Sequence, residues 1–94
     1  MDITVHFETQ LRYAMGTEPI TVSLPDKCCM REALQLLAKQ FGPLVAERIV
    51  ASDGMPQRSL LVFVNDQLIR HDLAANHPLK HGDVLLLYPP ISGG

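Results

Sequence analysis

The stretch MREALQLLAKQFGP, residues 30–43, has the residue spacing of an amphipathic helix. Its apolar residues fall at positions i, i+3, i+4, i+7, i+8 and i+11: Met30, Ala33, Leu34, Leu37, Ala38 and Phe41. This spacing puts them on one side of a helix and leaves the polar residues mostly on the other faces. Gly42 and Pro43 end the helix, because Gly adopts the left-handed cap conformation and Pro cannot continue it. We place the start at Asp26, the better cap chemically, or at Cys28, which lies nearer the stripe.

Two segments with alternating polarity precede this helix. Apolar and polar residues alternate over residues 3–8 and again over residues 20–24, which is the period of a half-buried strand. The short segment Gly16–Pro19 between them predicts an N-terminal hairpin. We expect Leu11–Met15 to extend either arm of that hairpin.

The chain after the helix contains further strands. Leu44–Val50 is expected to form another helical turn or two, and Ala51–Ser59 a loop. The continuous apolar run Leu60–Val64 predicts a strand that is buried on both faces and central in the sheet. Leu68–Ile69 is expected to pair back as a short edge strand, and Val84–Tyr88 is the last strand.

This order of elements predicts an α+β roll in which one main helix packs across one face of a mixed sheet. It is the topology of the ubiquitin-like, or β-grasp, fold. We expect residues 1–88 to form this domain and residues 89–94 to form a flexible C-terminal tail.

Composition excludes several classes of function. The 94 residues carry 8 Lys/Arg against 10 Asp/Glu, a net charge of −2, which is unsuited to binding nucleic acid. The longest apolar runs have five residues, whereas a membrane-spanning helix needs roughly 20. The first residues show no secretory signal. We therefore expect a single cytoplasmic domain that uses neither nucleic acid nor a membrane.

The last six residues, Pro89 to Gly94, read PPISGG. The two prolines block regular sheet pairing, and six extended residues reach roughly 20 Å. The two glycines lack a Cβ atom, so the backbone could pass through a narrow channel. A frayed terminus would look similar, but Gly-Gly placed directly after a sheet strand of a small α+β domain is more specific.

The segment His77–Gly94 resembles the C-terminus of the small subunit of molybdopterin synthase. The shared pattern is a PL-x-x-GD turn, an apolar strand, an aromatic residue, PP, a small apolar residue, a small residue and GG. The order of the earlier elements also fits this family of ubiquitin-like sulfur carriers, so the resemblance covers nearly the whole chain. One departure is Leu44–Arg58, which is longer than compact members need.

The resemblance implies a sulfur carrier that is not itself catalytic. An ATP-dependent activating enzyme would adenylate the carboxylate of Gly94, and a persulfide donor would convert it to a thiocarboxylate. The large catalytic subunit of molybdopterin synthase would receive the tail, with Ile91, Ser92 and Gly93 threaded into its active site. The carrier itself would bind no cofactor, since ATP is consumed by the activating partner.

Docking on such partners requires an apolar surface. By the same resemblance, the candidates on the sheet are Phe7, Leu61, Phe63, Leu85, Leu87 and Tyr88, with Pro89 and Pro90 at the root of the tail. Strand alternation sends only some apolar strand residues outward, so each is also a candidate for the core. Tyr88 with the prolines is the safest choice, because it adjoins the tail.

Other functions remain open at this point. The carrier could serve thiazole or cysteine synthesis, since such relatives also end in Gly-Gly. It could instead be a protein modifier joined to lysines through Gly94, or a plain interaction domain. Four histidines do not predict a metal site, because their spacing is not that of ligands. The adjacent pair Cys28 and Cys29 is expected to be structural.

Overall fold

A computed structural model describes residues 1–16 and 18–89 of the protein. Strands and helices follow one another in this order: β1 (Asp2–Phe7), α1 (Gln10–Met15), β2 (Ile20–Ser23), α2 (Met30–Phe41), α3 (Pro43–Ile49), β3 (Leu61–Val64), β4 (Gln67–Leu68), α4 (His71–Ala74) and β5 (Val84–Tyr88). None of the helices in these ranges is long and apolar enough to cross a membrane.

The strands form one mixed sheet in the order β2-β1-β5-β3-β4. β1 and β5 run parallel, with Val5 opposite Leu85, and the other neighbouring strands are antiparallel. The last strand in the sequence therefore lies in the middle of the sheet. This arrangement confirms the predicted α+β roll, with α2 as its main helix.

The core lies between one face of the sheet and the helices. From α2 it receives Met30, Ala33, Leu34 and Leu37, which are four members of the predicted stripe. Alternate residues of the strands meet them from the sheet: Ile3, Val5, Phe7, Val22, Val62, Val64, Leu85 and Leu87. The helical period of α2 and the two-residue period of the strands thus supply the two halves of one core.

The start of α2 differs from both predicted positions. The N-cap residue is Cys29, with φ −94° and ψ 169°, and its backbone N–H donates to the Glu32 carboxylate at 3.2 Å. Glu32 is the third residue of the helix, so this bond is the acidic half of a capping box. The helix is therefore capped at Cys29 with the help of Glu32, and not at Asp26 or Cys28 as expected.

Leu11–Met15 does not extend the hairpin; it belongs to α1. The helix is fixed by the buried side chain of Leu11 and ends where the Gly16 N–H donates to the Arg12 carbonyl. A six-residue helix is too short for its period to stand out from strand alternation in the sequence. The helical turns expected after Pro43 are confirmed as α3, which packs against α2.

The prediction that Leu60–Val64 is buried on both faces is wrong. β3 lies between β5 and the edge strand β4, and its Leu61 side chain is 50% exposed. The helices cover one face of the sheet, so a continuous apolar run in β3 places half of its side chains on the other face. The predicted short edge strand is confirmed as β4.

A polar network holds the start of β5, at the end of the sheet far from Tyr88. The buried Asp83 carboxylate accepts from the Lys80 N–H at 2.8 Å and from the Asn65 side-chain amide at 2.9 Å. The Asn65 carbonyl oxygen in turn accepts from the Val84 N–H at 2.9 Å. These bonds satisfy a buried carboxylate and fix the register in which β5 enters the sheet.

Candidate functional site

The root of the C-terminal tail, residues 87–89, is held by the segment that follows β1. The Glu8 N–H donates to the Leu87 carbonyl at 3.0 Å, which continues the ladder between β1 and β5. The Thr9 hydroxyl then donates to the Pro89 carbonyl at 2.9 Å. Pro89 is therefore held beside the turn into α1.

Pro89 belongs to the body of the domain. Its side chain is fully buried, so its place among the exposed docking residues is a correction to the prediction. The two bonds and this burial show that Pro89, which the sequence assigns to the tail, is held against the body of the domain. The other tail residues, Pro90, Ile91, Ser92, Gly93 and Gly94, lie outside the described residues.

An apolar surface lies on the face of the sheet opposite α2. Residues paired across neighbouring strands share a face, and the register pairs Leu61 with Tyr88 and Phe63 with both Leu86 and Leu68. We call these five side chains the open-face patch. Phe63, Leu86 and Tyr88 are half-buried, while Leu61 and Leu68 are 50% and 55% exposed.

The open-face patch reaches the tail root through an aromatic pair. The rings of Phe63 and Tyr88 meet edge to face, with centroids 5.4 Å apart and planes at 69°. This geometry is favourable for aromatic rings, whose positive edges face the negative faces of their neighbours. The predicted docking residues Phe63 and Tyr88 are thus brought together, directly before Pro89.

Phe7 is the second docking residue that the structure corrects. Its side chain is 4% exposed and packs edge to face on Phe41 of α2, with ring centroids 5.9 Å apart. Phe7 lies in phase with Ile3 and Val5, so the alternation of β1 sends it to the covered face. It is a core residue, as are the docking candidates Leu85 and Leu87, which are fully buried.

The sequence did not single out Leu86, Leu68 or Thr9. Within the all-apolar strand β5, hydrophobicity carries no signal that distinguishes Leu86 from its buried neighbours. The register shows its face: Leu87 is the parallel partner of the buried Phe7, so Leu86, one residue away, lies on the open face. Thr9 gave no sequence signal, because its bond depends on the packing of β1 against β5.

The Cys28 thiol is not an activated nucleophile. Burial, the nearby Glu32 carboxylate and the neighbouring Cys29 raise the pKa of the Cys28 thiol above its ordinary value of 9.0. A thiol with a raised pKa is almost entirely protonated near neutral pH and reacts slowly, because the thiolate is the nucleophile. Among residues 1–16 and 18–89, no group of three or more His, Cys, Asp or Glu side chains is placed to hold a metal.

A cavity of about 410 Å³ opens at the other end of the sheet, beside the Asp83 network. It is lined in part by Asn65, His77, Lys80 and Asp83. Val64 lines the cavity, and two cross-strand pairs of β3 and β5 lie between it and the pair Leu61 and Tyr88. The cavity is therefore remote from the tail root and from the aromatic pair Phe63 and Tyr88.

The fold recurs in solved structures from other organisms. Small archaeal modifier protein 1 from Methanosarcina acetivorans is 26% identical, with a TM-score of 0.75 over 99% of this chain and 96% of that chain. A chain of the BexX/CysO complex from Amycolatopsis orientalis is also 26% identical, with a TM-score of 0.70 over 98% of this chain and 99% of that one.

A third similar structure is described as subunit 1 of a molybdopterin converting factor from Pyrococcus furiosus. It is 20% identical, with a TM-score of 0.69 over 95% of this chain and 97% of that chain, a likeness of fold alone. Together these likenesses confirm the predicted ubiquitin-like β-grasp fold. No curated protein matches the chain.

The family model carries the comparison further than the fold. The model of the ThiS family matches residues 5–94, from within β1 to the terminal Gly-Gly sequence. The match thus includes the sequence on which the predicted resemblance to sulfur carriers rested. The chain belongs to the ThiS family.

Proposed function

We propose that the protein is a sulfur carrier for molybdopterin synthesis, acting through the carboxylate of Gly94. The observation that carries the proposal is the anchored tail root: the central strand β5 ends at Tyr88, and the buried Pro89 that follows it accepts a hydrogen bond from Thr9, directly before the segment that ends in Gly-Gly. The family match extends through the same segment. The pattern PP-x-S-GG favours the molybdopterin branch over other sulfur carriers.

The chemistry begins with a group that is a poor electrophile. An ATP-dependent activating enzyme would couple the Gly94 carboxylate to AMP and release pyrophosphate. A persulfide donor would then displace AMP, and cleavage of the sulfur–sulfur bond by a thiol would leave a thiocarboxylate. The protein would supply a reactive group on an arm, while its partners supply the catalytic residues.

The large subunit of molybdopterin synthase is the proposed receiving partner, and we place the reaction in the cytoplasm. The open-face patch supports this docking, because it is apolar and continuous with the tail root through Phe63 and Tyr88. α3, which overlaps the first part of the unusually long stretch Leu44–Arg58, packs against α2 on the covered side of the sheet. The added length therefore leaves the proposed docking surface free.

A second function is favoured by one of the similar structures. Small archaeal modifier protein 1 resembles this chain over nearly the whole length of both. The same adenylate at Gly94 could be attacked by a lysine amine of a target protein, which would form an isopeptide bond. Sulfur delivery to thiazole or cysteine synthesis is a further branch, and the likeness to a chain of the BexX/CysO complex makes it worth testing.

Intact-mass measurement separates these functions. The full chain is incubated with its activating enzyme, ATP and a sulfur source. We expect the small mass gain of an oxygen-to-sulfur replacement, and no gain in a control variant that lacks Gly94. Sulfur transfer to a cyclic pterin precursor in the presence of the large subunit would identify the molybdopterin branch. High-mass conjugates without a thiocarboxylate would overturn the carrier function in favour of a modifier.

A further inference from the structure

Thr9 has a backbone conformation that is unfavourable for its residue type. It links β1 to α1 with φ 52° and ψ −127°. Positive φ is uncommon outside Gly, Asn and Asp, and for a β-branched residue such as Thr it is an outlier. A glycine would adopt this conformation without strain. Thr9 therefore has a side chain at a position whose backbone conformation favours glycine.

The Thr9 side chain does not cap α1, although Thr9 occupies the N-cap position. Thr9 is the N-cap residue of α1, where a Thr hydroxyl normally accepts from a backbone N–H of the first helical turn. No such side-chain bond is formed here. The hydroxyl donates instead to the Pro89 carbonyl at 2.9 Å, across 80 residues of sequence.

The register of β1 and β5 explains why Pro89 needs this donor. The Thr4 N–H donates to the Asp83 carbonyl and the Glu8 N–H to the Leu87 carbonyl, each at 3.0 Å. The next donor in this parallel ladder would be the N–H of Gln10, two residues after Glu8. Gln10 has already turned into α1, so a side chain takes the place of the missing backbone donor.

Proline chemistry makes this one bond decisive for the tail root. Neither Pro89 nor Pro90 has a backbone N–H, so neither can donate to a neighbouring strand. The Pro89 carbonyl is the last backbone group that the structure describes, and the Thr9 hydroxyl is its hydrogen-bond partner. A bond at this carbonyl fixes the orientation of the Pro89 peptide group, to which the tail is attached.

We propose that Thr9 is a positioning residue for the C-terminal tail, holding the Pro89 carbonyl so that the tail leaves in the direction a partner's channel requires. The inference rests on the proposed function, in which the tail enters partner active sites. A fixed root lowers the conformational entropy lost on entry, which improves productive binding. The strained backbone of Thr9 is the cost of placing a hydroxyl at this point.

Kinetics with the activating enzyme test the proposal. Thiocarboxylate formation is measured against the concentration of the full chain for the wild type and for Thr9→Val, Thr9→Gly and Thr9→Ser. We expect Thr9→Val and Thr9→Gly to raise KM about 2- to 10-fold, the range for one net hydrogen bond, with kcat little changed. Thr9→Ser keeps the hydroxyl and should return KM to near the wild-type value.

Two controls separate positioning from general stability. Asn65→Ala disrupts the network at the opposite end of β5, so it lowers the melting temperature without touching the tail root. If it raises KM as much as Thr9→Val does, the proposal is overturned. Thr9→Gly relieves the positive-φ strain, so the expected outcome is a higher KM without a lower melting temperature. An unchanged KM in Thr9→Gly would also overturn the proposal.

A spectroscopic arm keeps the inference testable if the wild type gains no thiocarboxylate, a result that would overturn the proposed function. Amide ¹⁵N relaxation is then compared at Ile91 and Ser92 in the wild type, Thr9→Val and Thr9→Ser. Changed relaxation in Thr9→Val, together with recovery in Thr9→Ser, would support positioning by the hydroxyl. Identical relaxation in all three proteins would overturn it.

Discussion

The rings of Phe63 and Tyr88 meet edge to face on the open side of the sheet, with 5.4 Å between their centroids. Phe63 pairs directly with Leu86, and Tyr88 with Leu61, so the two rings are diagonal neighbours on adjacent strands. Since Tyr88 immediately precedes the buried Pro89, the contact joins the open-face patch to the tail root. A partner that receives the tail would also meet this patch.

We expect Phe63→Ala to weaken partner binding far more than it weakens the fold. Removing a central aromatic contact from an interface commonly costs about 1–2 kcal/mol or more, so Kd for the large subunit should rise roughly 5- to 30-fold. Titration calorimetry provides the measurement. Thr21→Ala, at an exposed position of β2 on the far edge of the same sheet, is the matched control. Equal losses in the two variants would contradict the assignment.

Phe7→Ala should weaken the fold far more than it weakens partner binding. Phe7 is 4% exposed and packs on Phe41, so truncation leaves a cavity and should reduce the free energy of unfolding by about 3–5 kcal/mol. Chemical denaturation measures this loss, with Phe63→Ala as the half-exposed comparison. Partner affinity of the folded fraction should stay near the wild-type value. A strong loss of partner affinity without destabilisation would show that Phe7 belongs to the interface and not to the core.

Asn65→Ala should destabilise the start of β5. The change leaves the buried Asp83 carboxylate and the Val84 N–H each without a partner that they have in the wild type. Such losses cost about 1–3 kcal/mol, which thermal or denaturant unfolding resolves. Asn65 has a φ of 50°, so Asn65→Gly serves as a control that removes the side chain without left-handed strain. Full stability in Asn65→Gly would show that backbone conformation, and not the network, matters here.

Glu32 should make the stability of α2 depend on pH. Hydrogen bonds from Cys29, through its thiol and its backbone N–H, lower the pKa of the Glu32 carboxyl below its ordinary value of 4.5. A folded-state pKa below the unfolded one stabilises the protein above that ordinary value, and the contribution is lost as pH falls through the folded-state pKa.

Glu32→Gln tests this dependence. The variant should be less stable than the wild type at neutral pH, and the difference should shrink as the pH falls below about 4.5. Unfolding midpoints measured across this range give the result. Glu47→Gln, at an exposed position of α3, controls for the loss of one negative charge. A difference that does not change with pH would rule out the capping role of the ionised carboxylate.

Several elements follow from local patterns in the sequence. The stripe from Met30 to Phe41 predicts α2 because a 12-residue helix gives its period several repeats. Alternation identifies β1 and β2, and Gly42 with Pro43 marks the end of the helix. α1 is missed because its six residues complete fewer than two turns. The cap at Cys29 does not follow from the residues before the helix, because it depends on the Glu32 side chain reaching back from inside the helix.

The sequence by itself determined the order of the main elements, the α+β class and the Gly-Gly terminus, because these depend on local periodicity and on residues adjacent in the chain. Only the tertiary structure decided which apolar strand residues face outward. Within a run such as VLLLY every residue is apolar, so the face of each is set by the helix layer packed on the other side. The bond between Thr9 and Pro89 has the same origin, because parallel pairing of β1 with β5 brings together residues 80 positions apart.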